Sequence, residues 1–287
     1  MGKTRSKWNR ETFLKRLAEG RSTGTGRNYR PQITIHDIPS LGICSRVKGR
    51  ASGRVQHFLS KNELAFFYLQ DFETTTLDIW EQVGLLDPDC PSSLLKVVQI
   101  AENLGIRYPR DNKSKYPYVM TSDFVITKED GIHVFSIKES KDLEKKRVKE
   151  LQLFEKTYWE TFPLRYGIPV VEWTQVTEKE INFQKAANIE WIYRSMDIEM
   201  YYPNYDICLE VMMYLLNRYR DTSLPISSIC AEADRHFQLS PGMGMTAFQR
   251  VLFERRLDIP LEKSLDFLSP RLGYEKGGMY SCLNVYR

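Results

Sequence analysis

The stretch of sequence that decides the fold runs from Tyr118 to Lys138 and reads YVMTSDFVITKEDGIHVFSIK. Residues 118–127 alternate between apolar and polar side chains, as a half-buried strand does, and residues 132–138 alternate again. The four residues between them, Lys-Glu-Asp-Gly, favour a tight turn. The sequence therefore predicts a β-hairpin.

The expected strand pairing in this hairpin brings two charged side chains together. If a loop of even length closes the hairpin, paired residue numbers sum to an odd number, so Asp123 lies opposite Ser136 or Lys138. Phe135 and Ile137 then occupy the other face of their strand. The pair is compatible with an ordinary ion pair at a sheet edge, which stabilises little, and with a catalytic site.

Phosphodiester hydrolysis would use these residue types well. The reaction needs a hard cation held by oxygens, an activated water and a positive group near the developing charge. Asp123 is the candidate metal ligand, Lys138 the candidate positive group, and Glu63, on a helix predicted over residues 61–72, the second carboxylate. Because Ser60 and Glu63 also have the spacing of a capping box, the sequence leaves a purely structural role open for Glu63.

The rest of the chain predicts an α/β domain followed by a helical one. A charged helix over residues 142–162 and a strand over 168–173 complete an α/β core, in which a mixed sheet is favoured over a parallel one. After a linker near residues 196–205, the pattern predicts helices over 207–219, 226–237 and 241–256, with Pro241 at the first position of the last. Residues 259–280 are expected to form a small wing, so the second domain is winged-helix-like.

Charge is unevenly distributed along the chain. Residues 1–56 contain thirteen Lys and Arg against three acids, although the whole chain carries only +4. Residues 1–30, with a short helix over 11–18, are predicted to be a basic flexible arm. Such an arm suggests a polyanion such as DNA as partner, and an ordinary solvated tail is the alternative.

Composition also limits the cellular setting. No run of about 18 apolar residues occurs, so no membrane span is expected, and no secretory signal is visible at the N-terminus. The five cysteines are scattered and odd in number, as in reduced cytoplasmic proteins. We therefore expect a cytoplasmic protein.

The order and spacing of these residues resemble the TnsA family, the endonuclease subunits of heteromeric bacterial transposases. Glu63 on a helix, Asp123 in Ser-Asp-Phe-Val and Lys138 in Ile-Lys carry the resemblance. Further similar segments are Gly53–His57, Leu64–Phe67, Leu77–Gln82, Lys179–Asn182 and Asn188–Trp191. The resemblance implies a restriction-endonuclease-like α/β domain over residues 31–195 and a winged-helix-like domain over 205–287 for contact with partners or DNA.

The resemblance also implies a ligand set. Glu63 and Asp123 would hold Mg²⁺, with Mn²⁺ able to substitute, and Lys138 would be the catalytic lysine. The family often has Gln two residues before the lysine, where this chain has Ser136, whose short hydroxyl reaches a metal less easily. The backbone carbonyl of Ile137 is then an alternative ligand. Glu73 is a further candidate for a second metal, as is Glu81, although each is also compatible with a solvated charge.

By the same resemblance, the protein would cleave DNA at the 5′ ends of a transposon. It would act with a TnsB-like transposase and a TnsC-like AAA+ ATPase. Candidate DNA-binding residues are Arg27, Arg30, Arg54, His57, Arg250 and Arg255. The helix over residues 241–256 is compatible with entry into a DNA groove and equally with contact to a partner alone. Two other functions stay open: a stand-alone restriction- or resolvase-like nuclease, and a non-catalytic DNA-binding adaptor.

Overall fold

The computed structural model describes residues 8–37, 44–87, 90–202, 204–220, 222–236 and 238–265. They fall into two compact units, one ending at Ile181 and the other beginning at Asn182.

The first unit is an α/β domain built on a mixed sheet. Its elements are α1 (Arg10–Ala18), β1 (Ser45–Lys48), β2 (Val55–Phe58), α2 (Lys61–Phe72), β3 (Asp78–Gly84), α3 (Ser93–Asn103), β4 (Thr121–Lys128), β5 (Gly131–Ile137), α4 (Lys146–Thr161), β6 (Leu164–Arg165) and β7 (Ile168–Val176). Five strands form one sheet in the order β3-β4-β5-β7-β6, while β1 and β2 pair separately. Only β5 and β7 run parallel within the five-stranded sheet. The predicted mixed sheet is confirmed.

The predicted hairpin is β4–β5, closed by the two-residue loop Glu129-Asp130. Its register runs from Lys128↔Gly131 to Phe124↔Phe135, so paired numbers have the predicted odd sum. The ladder ends at the Phe124↔Phe135 pair, and Asp123 is the residue just before Phe124 in the chain, beyond that last pair. The open end of this ladder is where the candidate site lies.

Helices cover both faces of the sheet. On one face Phe66 of α2 packs against Phe124 and Phe135, with ring centroids 5.3 and 5.0 Å apart. On the other face Val125 and Val134 belong to an apolar core cluster whose helical members come from α3 and α4. Because successive residues of a strand point to opposite sides, each helix layer is fixed against the strands that carry the site.

The described part of the N-terminal region packs onto this unit. Trp8 and Phe13 are buried with Leu86, Leu94 and Val119, and the Trp8 indole donates to the carbonyl of Pro117 at 2.9 Å. This differs from the flexible arm predicted for residues 1–30, of which residues 1–7 lie outside the described residues. The charge excess suggested a solvated segment, whereas its scattered aromatic side chains bury enough apolar surface to order it.

The second unit is helical in the part that the structure describes. Its helices are α5 (Phe183–Tyr193), α6 (Ile198–Tyr201), α7 (Tyr205–Arg218), α8 (Ile226–His236) and α9 (Met243–Phe253). The predicted wing falls largely on residues 266–280, which lie outside the described residues. None of the helices in the described ranges combines the length and apolar character needed to cross a bilayer.

Helix α9 begins later than predicted. Gly242 is its N-cap with φ +90°, so Pro241 precedes the helix and does not occupy its first position. The carboxylate of Asp234, near the end of α8, accepts the backbone amides of Gly242 and Gly244 at 2.7 and 2.6 Å. This side chain satisfies amides that the helix start leaves unpaired.

Candidate active site

The site is built around Asp123 at the start of β4. One carboxylate oxygen, Oδ2, accepts the backbone amide of Ile137 at 2.7 Å and the ammonium of Lys138 at 2.8 Å. The other oxygen, Oδ1, has no hydrogen bond from the residues that the structure describes. The predicted meeting of Asp123 and Lys138 is therefore present, and it leaves one carboxylate oxygen available.

Lys138 is held as a cation. Burial alone would lower the pKa of its ammonium, but attraction by Asp123, Glu155 and Glu63 outweighs burial and raises the pKa. The ammonium also donates to the carbonyl of Ile137 at 3.0 Å, which places that backbone oxygen at the site. A lysine in this setting supplies positive charge and is a poor proton acceptor.

Glu63 forms the helix-cap half of the predicted capping box, but its carboxylate accepts the Ser60 hydroxyl and the Leu59 amide and not the Ser60 amide. Its backbone amide donates to the Ser60 hydroxyl at 3.1 Å, and that hydroxyl donates back to Oε1 at 2.9 Å. Oε2 accepts the Leu59 amide at 3.0 Å. Burial, followed by repulsion from Asp123, raises the pKa of Glu63 to about 7. A helix-capping role and a role as second carboxylate of the site, which the sequence left open as alternatives, are therefore compatible in Glu63.

Glu155 is a member of the site that sequence reasoning missed. It lies in the middle of α4 and is buried. Burial, and next repulsion from Asp123, raises the pKa of Glu155 to about 7, while Lys138 and the hydroxyls of Ser122 and Ser136 lower it. Asp123 is flanked by two buried carboxyl groups with raised pKa values. The site therefore has more acidic groups than the ammonium of Lys138 can neutralise.

Ser136 points into this buried region. It is fully buried, and neither its hydroxyl nor Oε1 of Glu155 has a hydrogen-bond partner among the described residues, although the two groups lie close enough for the hydroxyl to affect the pKa of Glu155. Unsatisfied buried polar atoms are rare in folded proteins and need a cause, such as an ion or an ordered water.

The types of oxygen donor at the site suit one small divalent cation. No three His, Cys, Asp or Glu side chains within the described residues are arranged to chelate a metal by themselves. Mg²⁺ does not require such a cage, because it is usually bound by one or two carboxylates and keeps several waters. Oδ1 of Asp123, the carbonyl of Ile137 and one oxygen from Glu63 or Glu155 are hard ligands of this kind.

The two carboxylates that the sequence suggested for a second metal, Glu73 and Glu81, do not lie beside Asp123. Glu73 is exposed beyond the end of α2, about 15 Å along the helix from Glu63 at 1.5 Å per residue. Glu81 is buried, and its carboxylate pairs with the guanidinium of Arg54. Neither geometry brings the carboxylate to Asp123.

The predicted DNA-binding residues differ in how far their side chains are exposed. Arg54 lies against the ring of Tyr29 and pairs with Glu81, and Arg250 donates to Met196 and Glu254. Both guanidiniums are thereby used within the protein, so a phosphate contact by either would require breaking these bonds.

The other candidates are more accessible. Arg27, Arg30 and Arg255 are exposed, while His57 is half-buried. Burial lowers the pKa of His57, with nearby Glu81 opposing that effect. These four remain candidate DNA contacts.

Comparison with known proteins gives consistent matches over both units. Residues 73–169 match the family model of the TnsA-like endonuclease N terminal domain, and residues 180–261 match the model of the TnsA endonuclease C terminal domain. The chain is similar to the Transposon Tn7 transposition protein TnsA of Escherichia coli, with 31% identity over 245 residues covering 84% of this chain and 83% of that protein. Asp123, Lys138 and Glu155 fall inside the first match, whereas Glu63 precedes it.

Proposed function

This chain belongs to the TnsA family of transposition endonucleases, and we propose that it hydrolyses DNA with Mg²⁺ at the 5′ ends of a transposon during cut-and-paste transposition. The observation that carries the proposal is the Asp123–Lys138 contact at the open end of the hairpin, flanked by two buried carboxyl groups. An arrangement of acids around one lysine suits phosphodiester cleavage because it concentrates oxygen ligands and one fixed positive charge.

Each residue has a proposed role. Asp123, through Oδ1, and the carbonyl of Ile137 would hold the cation, with Glu63 and Glu155 as further oxygen donors. When bound, the cation supplies positive charge to the reacting phosphate and makes the attacking water more acidic. Lys138 keeps its proton and stabilises the negative charge that develops on the phosphate oxygens. Mn²⁺ would substitute for Mg²⁺, because both accept oxygen ligands.

The proposed setting is a multi-protein complex in the bacterial cytoplasm. The chain would act on transposon ends with a TnsB-like transposase that cuts the opposite strand and a TnsC-like ATPase. The helical second unit is our candidate for docking these partners or DNA, since the exposed arginine Arg255 lies just after α9. Arg27, Arg30 and His57 are candidate DNA contacts in the first unit.

Strand-specific cleavage tests this proposal. DNA carrying the transposon ends is incubated with Mg²⁺, the full chain and the products of neighbouring genes, and each strand is mapped separately. Asp123→Ala and Lys138→Ala should remove the 5′-strand cuts and retain the 3′-strand cuts. Glu73→Ala is the matched control: it removes an exposed carboxylate outside the site and should cleave like the wild type.

Other outcomes would decide against parts of the proposal. Cleavage by the purified chain without partners would favour a stand-alone nuclease. Full 5′-strand cleavage by both Asp123→Ala and Lys138→Ala would reject the site. DNA binding with no metal-dependent cleavage under any condition would favour a non-catalytic adaptor, for which salt-sensitive binding is expected.

A further inference from the structure

The segment Leu77–Gln82 contains one polar residue whose place in the fold is unusual. Asp78 accepts the amide of Gly26 and the indole of Trp80, both at 2.6 Å, and Glu81 pairs with Arg54. These bonds explain Asp78 and Glu81 as structural residues. They leave Gln82, which is also buried, without a structural explanation.

The backbone of Gln82 is held in a conformation that most residues avoid. Its φ is +49°, although it lies inside β3 between the pairs Glu81↔Phe124 and Val83↔Ser122. Non-glycine residues with positive φ cost free energy and persist only where the surroundings enforce them, often at functional sites.

The N-terminal region enforces this conformation from the open edge of the sheet. The amide of Gln32 donates to the carbonyl of Gln82 at 3.0 Å, and the amide of Gly84 donates to the hydroxyl of Ser22 at 3.0 Å. Because β3 is an edge strand, these bonds replace a missing neighbour strand. The irregular backbone is thus supported on the side away from β4.

The side chain of Gln82 reaches Glu63. Its Nε2 donates to Oε2 of Glu63 over 3.4 Å, a long hydrogen bond, while its Oε1 accepts the hydroxyl of Thr121 at 3.0 Å. An ionised carboxylate only accepts, so Glu63 takes the amino group of the Gln82 amide, and the Thr121 hydroxyl, which can donate or accept, donates to Oε1. Two neighbours therefore orient the Gln82 amide.

The two oxygens of Glu63 are consequently unequal. A carboxylate oxygen has two lone pairs. Among the described residues, Oε2 receives two donors, the Leu59 amide and Gln82, whereas Oε1 receives only the Ser60 hydroxyl. One lone pair of Oε1 remains for a further partner.

We infer that Gln82 is a positioning residue that occupies Oε2 of Glu63 and leaves Oε1 to bind the divalent cation. The inference rests on the proposed function, because it assumes that Glu63 is a ligand. Gln82 does not touch the cation. It fixes the orientation of a ligand, as the hydrogen-bonding partners of metal ligands generally do.

The test measures Mn²⁺ binding to the full chain by electron paramagnetic resonance, without DNA or turnover. Gln82→Met keeps the length and burial of the side chain but removes its donor, and it places an equally unbranched residue at the same φ. The expected result is a loss of Mn²⁺ affinity of roughly tenfold, the lower end for loss of such a partner. Thr121→Val, which frees the amide to rotate, should give a smaller loss in the same direction.

A matched control separates positioning from stability. Gln32 is also a buried glutamine at this sheet edge, but its side chain accepts the hydroxyl of Ser22 and does not contact Glu63. Gln32→Met should lower the midpoint of thermal unfolding while binding Mn²⁺ like the wild type. If Gln82→Met binds Mn²⁺ as the wild type does, or loses no more affinity than Gln32→Met, the inference is overturned.

The same titration distinguishes this inference from the proposed function. Wild-type protein that binds Mn²⁺ no better than Asp123→Ala overturns both. Wild-type binding that Asp123→Ala abolishes and Gln82→Met leaves intact overturns only the role of Gln82.

Discussion

Two ion pairs in the first unit have the same chemical type, one acidic and one basic side chain, but they differ in burial and in their hydrogen-bond partners. Arg54–Glu81 and Asp123–Lys138 each join a basic and an acidic side chain from different strands or loops. Glu81 is completely buried, whereas the side chain of Lys138 is 32% exposed and that of Asp123 is 16% exposed.

In the Arg54–Glu81 pair the protein saturates the carboxylate, and we call it the saturated pair for that reason. Oε1 of Glu81 accepts from Arg54 and from the amide of His57, and Oε2 accepts from Arg54 and from the amide group of Gln56. The Asp123–Lys138 pair leaves Oδ1 of Asp123 without a donor from the described residues. A carboxylate whose lone pairs are all occupied by protein donors serves to hold strands together. A carboxylate with a free oxygen, beside further acids, is suited to binding a cation from solution.

The largest effect is expected when the unsaturated pair is altered. Asp123→Asn should reduce 5′-strand cleavage about a thousandfold, the upper end for loss of one electrostatic catalytic group. The metal-free variant should keep most of the wild-type stability. It loses the ion pair with Lys138 but also the repulsion that, after burial, raises the pKa of Glu63 and Glu155. Urea unfolding in EDTA and cleavage in Mg²⁺ measure the two quantities on one preparation. A variant that loses activity together with stability would place Asp123 among structural residues.

The saturated pair should give the opposite result. Arg54→Met leaves Glu81 charged and unpaired in the interior, which costs about 3–5 kcal/mol of unfolding free energy. Cleavage per folded molecule, measured below the unfolding transition, should change much less than it does in Asp123→Asn.

A double variant controls for the lost charge. Arg54→Met with Glu81→Met removes both charges and should recover much of the lost stability, as apolar replacements of buried pairs often do. If Arg54→Met instead folds normally and loses affinity for DNA, Arg54 is a DNA contact and the two pairs are less different than the structure indicates.

Local patterns explain why Asp123 and Lys138 were predictable. A hairpin with a short loop fixes strand register, so the meeting of these two residues follows from sequence spacing alone. The capping box likewise placed Glu63 at the start of α2, at the residues where that helix begins. The mixed sheet followed from the same reasoning.

Glu155 and Gln82 were not predictable in this way. Glu155 is one of several glutamates on a charged helix, and its burial results from the docking of α4 against the sheet. Gln82 belongs to β3, a strand the sequence did not predict, because Glu81 and Gln82 interrupt its apolar pattern with two buried polar residues. Both depend on contacts between residues far apart in sequence, which periodicity does not encode.

The smallest of the three effects is a fall in stability with rising pH, which the carboxyl groups of the unsaturated site should cause. Glu63 and Glu155 have folded pKa values of about 7 against ordinary values of 4.5, so the folded state binds their protons more tightly than the unfolded state. Their contribution to stability is full below pH 4.5 and is lost as pH rises through 7.

For Glu155 the loss between pH 5.5 and pH 8 is on the order of 2 kcal/mol, since one pKa unit corresponds to about 1.4 kcal/mol. Because the lowered pKa of His57 acts in the opposite direction over part of this range, the wild type is compared with Glu155→Gln by urea unfolding in EDTA. The variant should lose less stability than the wild type as pH rises.

Mg²⁺ should reduce the wild-type loss, because the cation favours the ionised carboxylates. If the free energy of unfolding depends on pH equally in wild type and variant, the pKa of Glu155 is not raised by folding. The contrast between the two ion pairs would then rest on Asp123 alone.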